Sequence, residues 1–123
     1  MVKFICYPKC TTCRRAKKWL EDNGVEFDER DIKTNNPTAE ELKQWHEKSG
    51  VALRKFFNTS GILYREMNLK DKLSEMTEDE QIALLSSDGM LVKRPIVVGS
   101  DFVLIGFKEA DWSMRLLSKR EDK

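Results

Sequence analysis

A Cys-x-x-Cys pair, Cys10-Thr11-Thr12-Cys13, stands where the apolar run Val2 to Tyr7 ends at Pro8 and a helical pattern begins. No other feature constrains the fold as much. The run is short and rich in aromatic and branched residues, which reads as a buried strand of an α/β protein. From Thr11 to Asn23, Cys13, Ala16, Trp19 and Leu20 follow the helical period, with Arg14, Arg15, Lys17 and Lys18 mostly on the other faces and Gly24 as the stop. Cys10 is thereby set at a helix N-terminus. Val25 to Ile32 alternates apolar and charged residues, a second strand reached by a right-handed crossover, so the chain opens as βαβ.

Thr38 with Glu41 has the form of a capping box, opening a helix through Lys48 with Leu42 and Trp45 inward and Gly50 as its end. Val51 to Phe57 reads as a short helix, Asn58 to Gly61 as a turn, and Met67, Leu69 and Leu73 as a short helical piece. Thr77 with Glu80 repeats the capping box ahead of Ile82, Leu84 and Leu85. These pieces form a helical insert at about 38–86. Leu91 to Phe107 holds two apolar runs around Gly99-Ser100-Asp101, a β-hairpin with Pro95 opening its first strand. A last helix, about Lys108 to Leu117, places Ala110, Met114 and Leu117 at helical spacing and leads into a charged tail, Ser118 to Lys123. The expected order is βαβ, helical insert, ββα, in a single domain spanning residues 1–123.

Charge removes several function classes. With 22 Lys and Arg against 21 Asp and Glu, the net charge of +1 offers no global field for nucleic acid or an acidic membrane. No apolar run approaches a bilayer span, and the N-terminus lacks a signal-peptide pattern, so a cytoplasmic location is expected. The three cysteines, Cys6, Cys10 and Cys13, fall within eight positions, which excludes a multi-bridge scaffold. One histidine and no further cysteine leave too few ligands for zinc, and no metal is expected.

Thiol chemistry remains. A thiol reacts as its thiolate, and helix N-terminal amides and nearby cations favour that form. Cys10 has the helix terminus, and Lys9, Arg14 and Arg15 add positive charge. Cys13, one turn further in, is placed to attack a mixed disulfide on Cys10. The reading is Cys10 as nucleophile and Cys13 as resolving thiol, against the plainer alternative of a buried packing residue beside an idle surface thiol. Cys6, inside the first strand, reads as buried and inert. Arg94 ahead of Pro95 suits an oxyanion or carboxylate, or is a solvated residue at a strand end, and Pro95 suits a cis peptide near the thiols. His46 reads as a surface residue, and the three tryptophans as packing.

Three segments carry a resemblance over almost the whole chain: Tyr7-Pro8-Lys9-Cys10-Thr11-Thr12-Cys13-Arg14; Phe57-Asn58-Thr59-Ser60-Gly61 with Tyr64-Arg65-Glu66-Met67-Asn68-Leu69; and Lys93-Arg94-Pro95-Ile96-Val97-Val98. With these the chain resembles the arsenate reductase family, thioredoxin-like proteins that include glutaredoxin-coupled arsenate reductases and Spx-type transcriptional regulators, and is similar to an arsenate reductase-like branch with a Cys-x-x-Cys pair. The resemblance implies a thioredoxin/glutaredoxin-like α/β fold with a mixed four-stranded sheet. It matches Cys10 to the arsenate-attacking cysteine, Arg14 and Arg94 to substrate-side arginines and Pro95 to the cis-proline opposite the thiol. Two further arginines of the reductases are replaced by Asn58 and Gly106, a histidine by Cys6 and a serine by Cys13, a pattern that favours a dithiol mechanism. The implied activity is thiol-disulfide oxidoreduction on a disulfide or an oxyanion such as arsenate, with no bound cofactor and with glutathione, glutaredoxin or thioredoxin as electron donor. The implied alternative is an Spx-like redox-sensing regulator that binds RNA polymerase through its α subunit.

Overall fold

In the computed structural model, which describes residues 1–117, the first strand lies at the middle of everything. Strand β1 (Val2–Cys6) pairs in parallel with β2 (Phe27–Asp31) across helix α1 (Thr11–Asp22), and antiparallel with β3 (Ile96–Val98), which pairs antiparallel with β4 (Val103–Ile105). The order β2-β1-β3-β4 makes the sheet mixed and four-stranded, as expected. Alternation along β1 and β3 divides the core in two. Phe4, Cys6 and Val97 join Ala16 and Leu20 of α1 and the C-terminal Trp112, while Ile5 and Ile96 face the helical insert. Both central strands are buried on both faces, which is why each reads as a continuous apolar run rather than an alternating one.

The insert follows its capping boxes. Helix α2 (Ala39–Ser49) opens with Glu41 N–H donating to Thr38 Oγ1 at 3.1 Å and Thr38 N–H to Glu41 Oε1 at 3.0 Å, and ends at Gly50 with φ 70°. A 3-10 turn (Leu53–Phe56) precedes the Asn58–Gly61 turn. Two short helices follow, α3 (Ile62–Glu66) and α4 (Leu69–Lys72), then α5 (Glu78–Ser87), capped by Thr77 and Glu80 in the same manner. Leu42, Trp45, Phe56, Phe57, Leu69 and Leu85 bury themselves against Ile5 and Ile96. Arg30 of β2 fastens the insert to the sheet, its guanidinium meeting both Glu41 oxygens at 2.7 and 2.9 Å and the carbonyls of Asn35 and Asn36. At the other end Gly89 passes so close to Ile32 that a Cβ would fall 1.8 Å from its carbonyl oxygen, so this crossing requires glycine.

Three local expectations are corrected. The Met67 to Leu73 piece begins earlier, at Ile62, and is broken by Asn68 in the left-handed region, φ 52°. The hairpin is shorter than its apolar runs: Leu91 ends a 3-10 turn (Gly89–Leu91) and Val92 bridges Phe57, so those apolar residues close the insert, not the sheet. In the last segment α6 (Glu109–Trp112) runs into a π-helical turn (Ser113–Leu117), and the buried residues are Trp112 and Leu116. Ala110 and Met114 are exposed. Trp112 outcompetes that face because it buries a far larger apolar surface and its indole N–H finds the Gly106 carbonyl at 3.0 Å. The charged tail 118–123 lies outside the described residues. Among the described residues no helix is long and apolar enough to cross a membrane.

The Arg30–Glu41 pair yields a stability test. Arg30 holds the Glu41 carboxyl at about 2 against an ordinary 4.5, so the pair stabilises the fold above pH 4.5 and that contribution is lost as pH falls through about 2. Glu41→Gln keeps an acceptor for the Thr38 amide but removes the charge. Urea unfolding at pH 7 is expected to show it less stable by roughly 1–3 kcal/mol, the gap narrowing steadily between pH 5 and pH 2. Equal stability at pH 7 would contradict this role.

Candidate active site

Cys10 is the N-cap of α1, where β1 has just ended and the chain turns through Tyr7, Pro8 and Lys9. The turn is closed by the Cys10 amide donating to the Tyr7 carbonyl at 2.9 Å, and the Cys10 carbonyl accepts the first helical bond from Arg14 at 3.0 Å. No acidic residue stands in the first turn of α1, so the helix itself puts no negative charge against its positive end at the sulfur. Cys10 is part-buried, and Cys13, on the inner face of α1, is 2% exposed.

The far end of the chain is brought here by sheet register. Ile5 of β1 faces Ile96 of β3. Continuing that antiparallel register outward by two residues sets Tyr7 opposite Arg94, and the Arg94 guanidinium lies over the Tyr7 ring, 5.3 Å from its centroid. The Arg94–Pro95 peptide is cis, and the buried Pro95 accepts at its carbonyl from Gly106 N–H at 2.8 Å. Four of the five expected site residues, Cys10, Cys13, Arg94 and Pro95, therefore gather at one end of β1 and β3. Arg14 turns another way: its Nε donates to the Pro8 carbonyl at 3.0 Å, bracing the turn before Cys10 from an exposed position.

Two thiols of one pair are driven in opposite directions. Burial raises the Cys10 pKa, but the Cys13 amide and thiol, the Arg94 guanidinium and the Thr12 amide all stabilise its thiolate, and the net shift is downward. Cys13 is pushed up to about 12, first by burial and then by the negative charge of Cys10, against a Tyr7 N–H donated to its sulfur at 3.3 Å. One sulfur is favoured as the thiolate and the other keeps its proton. Cys6 behaves as expected of an inert thiol: 2% exposed, held up at about 12 by burial and the Glu29 carboxylate, with its sulfur 3.6 Å from Glu29 Oε2. His46 stands away from the thiols, half-buried, its ring edge-on to Phe56.

Cys10 opens into a cleft of about 620 Å³. Asn58 and Gly106, the residues matched to lost arginines, both line it, as does Arg94. Gly106 has φ 75°, so the backbone resists an arginine at this position, whereas the nearest atom to a Cβ, Lys93 Cε at 3.2 Å, could yield by a small shift. Lys93, Lys108, Met90 and Ile62 complete walls that sequence reading did not assemble. The only signal for Lys93 was its place beside Arg94. Ile62 lies on the insert and Met90 in the 3-10 turn that follows it, and nothing in their own spacing points at Cys10. Among the described residues no group of three His, Cys, Asp or Glu side chains is gathered as a metal site would need.

Comparison with known proteins agrees with this geometry. A profile of the ArsC family matches residues 6–114, so the chain belongs to that family. It is 59% identical over 106 residues to the uncharacterized protein YusI of Bacillus subtilis (strain 168), covering 86% of this chain and 90% of YusI. It is 33% identical over 118 residues to the regulatory protein MgsR of the same organism, covering 96% of this chain and 90% of MgsR. Among solved structures, a Bacteroides fragilis chain ascribed to the ArsC family superposes with a TM-score of 0.90 at 54% identity, covering 92% of this chain and 95% of that one. The thioredoxin-like ArsC fold and its close Cys10–Cys13 pair follow from both lines.

Thiolate absorbance near 240 nm tests the electrostatics. On raising the pH, one cysteine is expected to ionise below the ordinary cysteine range, with Cys6 and Cys13 following only near 12. Arg94→Ala is expected to move the first step upward and to slow iodoacetamide alkylation of Cys10 at pH 6 by about tenfold or more, the loss of one charge-assisted hydrogen bond. An unmoved first step would remove Arg94 from the thiolate.

Proposed function

We propose that this chain is a dithiol oxidoreductase in which Cys10 attacks and Cys13 resolves. The observation that carries the reading is the placement of Cys10 at the N-terminus of α1, open to a cleft that Arg94 also lines, with Cys13 buried one helical turn away; the opposed pKa directions accord with it. With a disulfide substrate, the Cys10 thiolate attacks one sulfur, the substrate S–S bond breaks, and the leaving thiolate takes the electron pair and then a proton from solvent. The mixed disulfide carries no charge on Cys10, so one of the influences raising Cys13 disappears at the moment Cys13 is needed. Cys13 loses its proton and attacks Cys10, the mixed S–S bond breaks, and the substrate's second sulfur departs reduced. Two electrons have passed to the substrate and the protein holds a Cys10–Cys13 disulfide, which glutathione, glutaredoxin or thioredoxin would reduce.

With arsenate, the family's named substrate class, Cys10 would displace an oxygen as water. Cys13 would then break the S–As bond, leaving the electron pair on arsenic as arsenite. Asn58 and Gly106 weaken this branch, because two of the four matched arginines are gone and, with Arg14 turned to the Pro8 carbonyl, Arg94 is the one that lines the cleft beside Cys10. A second reading draws on the 33% identity to MgsR, a regulatory protein. In it the Cys10–Cys13 disulfide alters a surface that meets the RNA polymerase α subunit, without turnover.

Cys13→Ser separates the two thiol roles. Exposed to bis(2-hydroxyethyl) disulfide, that variant is expected to hold a stable mixed disulfide on Cys10 by mass spectrometry, while the wild type loses two hydrogens and retains no adduct. Cys10→Ser is expected to do neither. A wild type that stays fully reduced, or an adduct that forms on Cys6, would refute the mechanism. Oxidation of the pair without catalytic turnover, together with disulfide-dependent capture of polymerase α, would move the assignment to the regulatory reading.

A further inference from the structure

The cleft around Cys10 is much larger than a tetrahedral oxyanion, and its two walls differ in chemistry. One is apolar, formed by Ile62 and Leu63 of the insert and Met90 of the turn after it, with Ile62 67% exposed. The other carries the cations, Lys93, Arg94 and Lys108, beside Ile105 and Phe107, and no aspartate or glutamate is among the described residues that line the cleft. Arg94 is the cation of this lining that also stabilises the Cys10 thiolate, so an acidic group drawn to it arrives at the reacting sulfur. A single arsenate would fill only a fraction of the cleft's volume of about 620 Å³ and could not engage all of this lining. A peptide segment would use both walls, with side chains against Ile62 and Met90 and carboxylates toward the lysines.

Resting on the dithiol reading above, we propose that the substrate is a disulfide-bonded peptide or protein segment with acidic residues next to its cysteine, selected by Lys93 and Lys108. The chemistry is the exchange already described: Cys10 cleaves the segment's disulfide, Cys13 releases it as a thiol, and the two electrons come from the Cys10–Cys13 pair. The positive wall guides the acidic segment to the thiolate and disfavours basic ones.

The test uses three synthetic peptide disulfides identical except for Glu, Gln or Lys on both sides of the cysteine, with reduction followed under glutathione-coupled turnover. The Glu peptide is expected to exceed the Lys peptide in kcat/KM by about tenfold or more, with Gln between. Raising salt from about 0.05 M to about 0.5 M is expected to shrink that ratio in the wild type, which needs no mutant to fold. Lys93→Gln with Lys108→Gln is expected to collapse the same ratio, read within one variant so that any general loss of activity cancels. Equal rates for all three peptides, or a ratio indifferent to both salt and the lysines, overturns the inference. So does turnover of arsenate with none of the peptides, which would leave the dithiol mechanism standing. Inertness toward every disulfide, bis(2-hydroxyethyl) disulfide included, would instead overturn both that mechanism and this inference.

Discussion

The antiparallel register that sets Ile5 against Ile96 is the constraint on which the site depends. It joins residues some ninety positions apart and leaves no freedom in what lies beyond the strand ends: Tyr7 and Cys10 on one side, Arg94 and Pro95 on the other. A slip of one residue would turn Ile96 and Val97 to the wrong faces, exchanging the two halves of the core. Burial of Phe4, Ile5, Ile96 and Val97, each 0% exposed, therefore fixes the electrostatics of Cys10 indirectly. Packing energy is spent on the position of a guanidinium.

Around that pairing the two core halves divide the work. The α1 side holds Cys13 and Cys6 in an apolar setting that keeps both thiols protonated. The insert side supplies the rim of the cleft, with Asn58, Ile62 and Met90 brought over Cys10 by elements pinned at Arg30–Glu41 and at the Gly89 crossing. Trp112 closes the far edge, stacking edge-on against Trp19 and Phe107 while its indole holds the Gly106 carbonyl. Gly106 in turn donates to Pro95, so the C-terminal helix is linked by two hydrogen bonds to the cis peptide beside the thiols.

Much of this was legible in the sequence because it is written in local signals. Thr38 with Glu41 and Thr77 with Glu80 state two helix starts outright, and the strand, Cys-x-x-Cys and helix at the N-terminus set Cys10 at a helix start. Arg94 and Pro95 were singled out at the mouth of the third strand, with a solvated arginine as the open alternative, and resemblance then matched them to the site; nothing local shows that residue 94 reaches residue 10. What was missed depends on tertiary competition. Asn68 breaks a helical pattern by adopting φ 52°, Leu91 and Val92 are apolar for the insert's sake, and Trp112 outranks Ala110 and Met114 for the one buried face. The cleft walls were invisible for the same reason. Lys93, Lys108, Ile62 and Met90 belong to different elements, and only the folded chain puts them around one sulfur.

A stabilised Cys10 thiolate favours the reduced pair over the disulfide, which makes the disulfide easier to reduce and its potential less negative. The reduction potential of the Cys10–Cys13 couple, measured by equilibration with glutathione buffers and quantified by thiol alkylation, is therefore the most direct test of the central claim. The value expected is that of a working redox couple, less negative than about −270 mV and within the range of known dithiol catalysts. A pair that forms no disulfide at any poise, or one locked below about −300 mV as structural disulfides are, would contradict it.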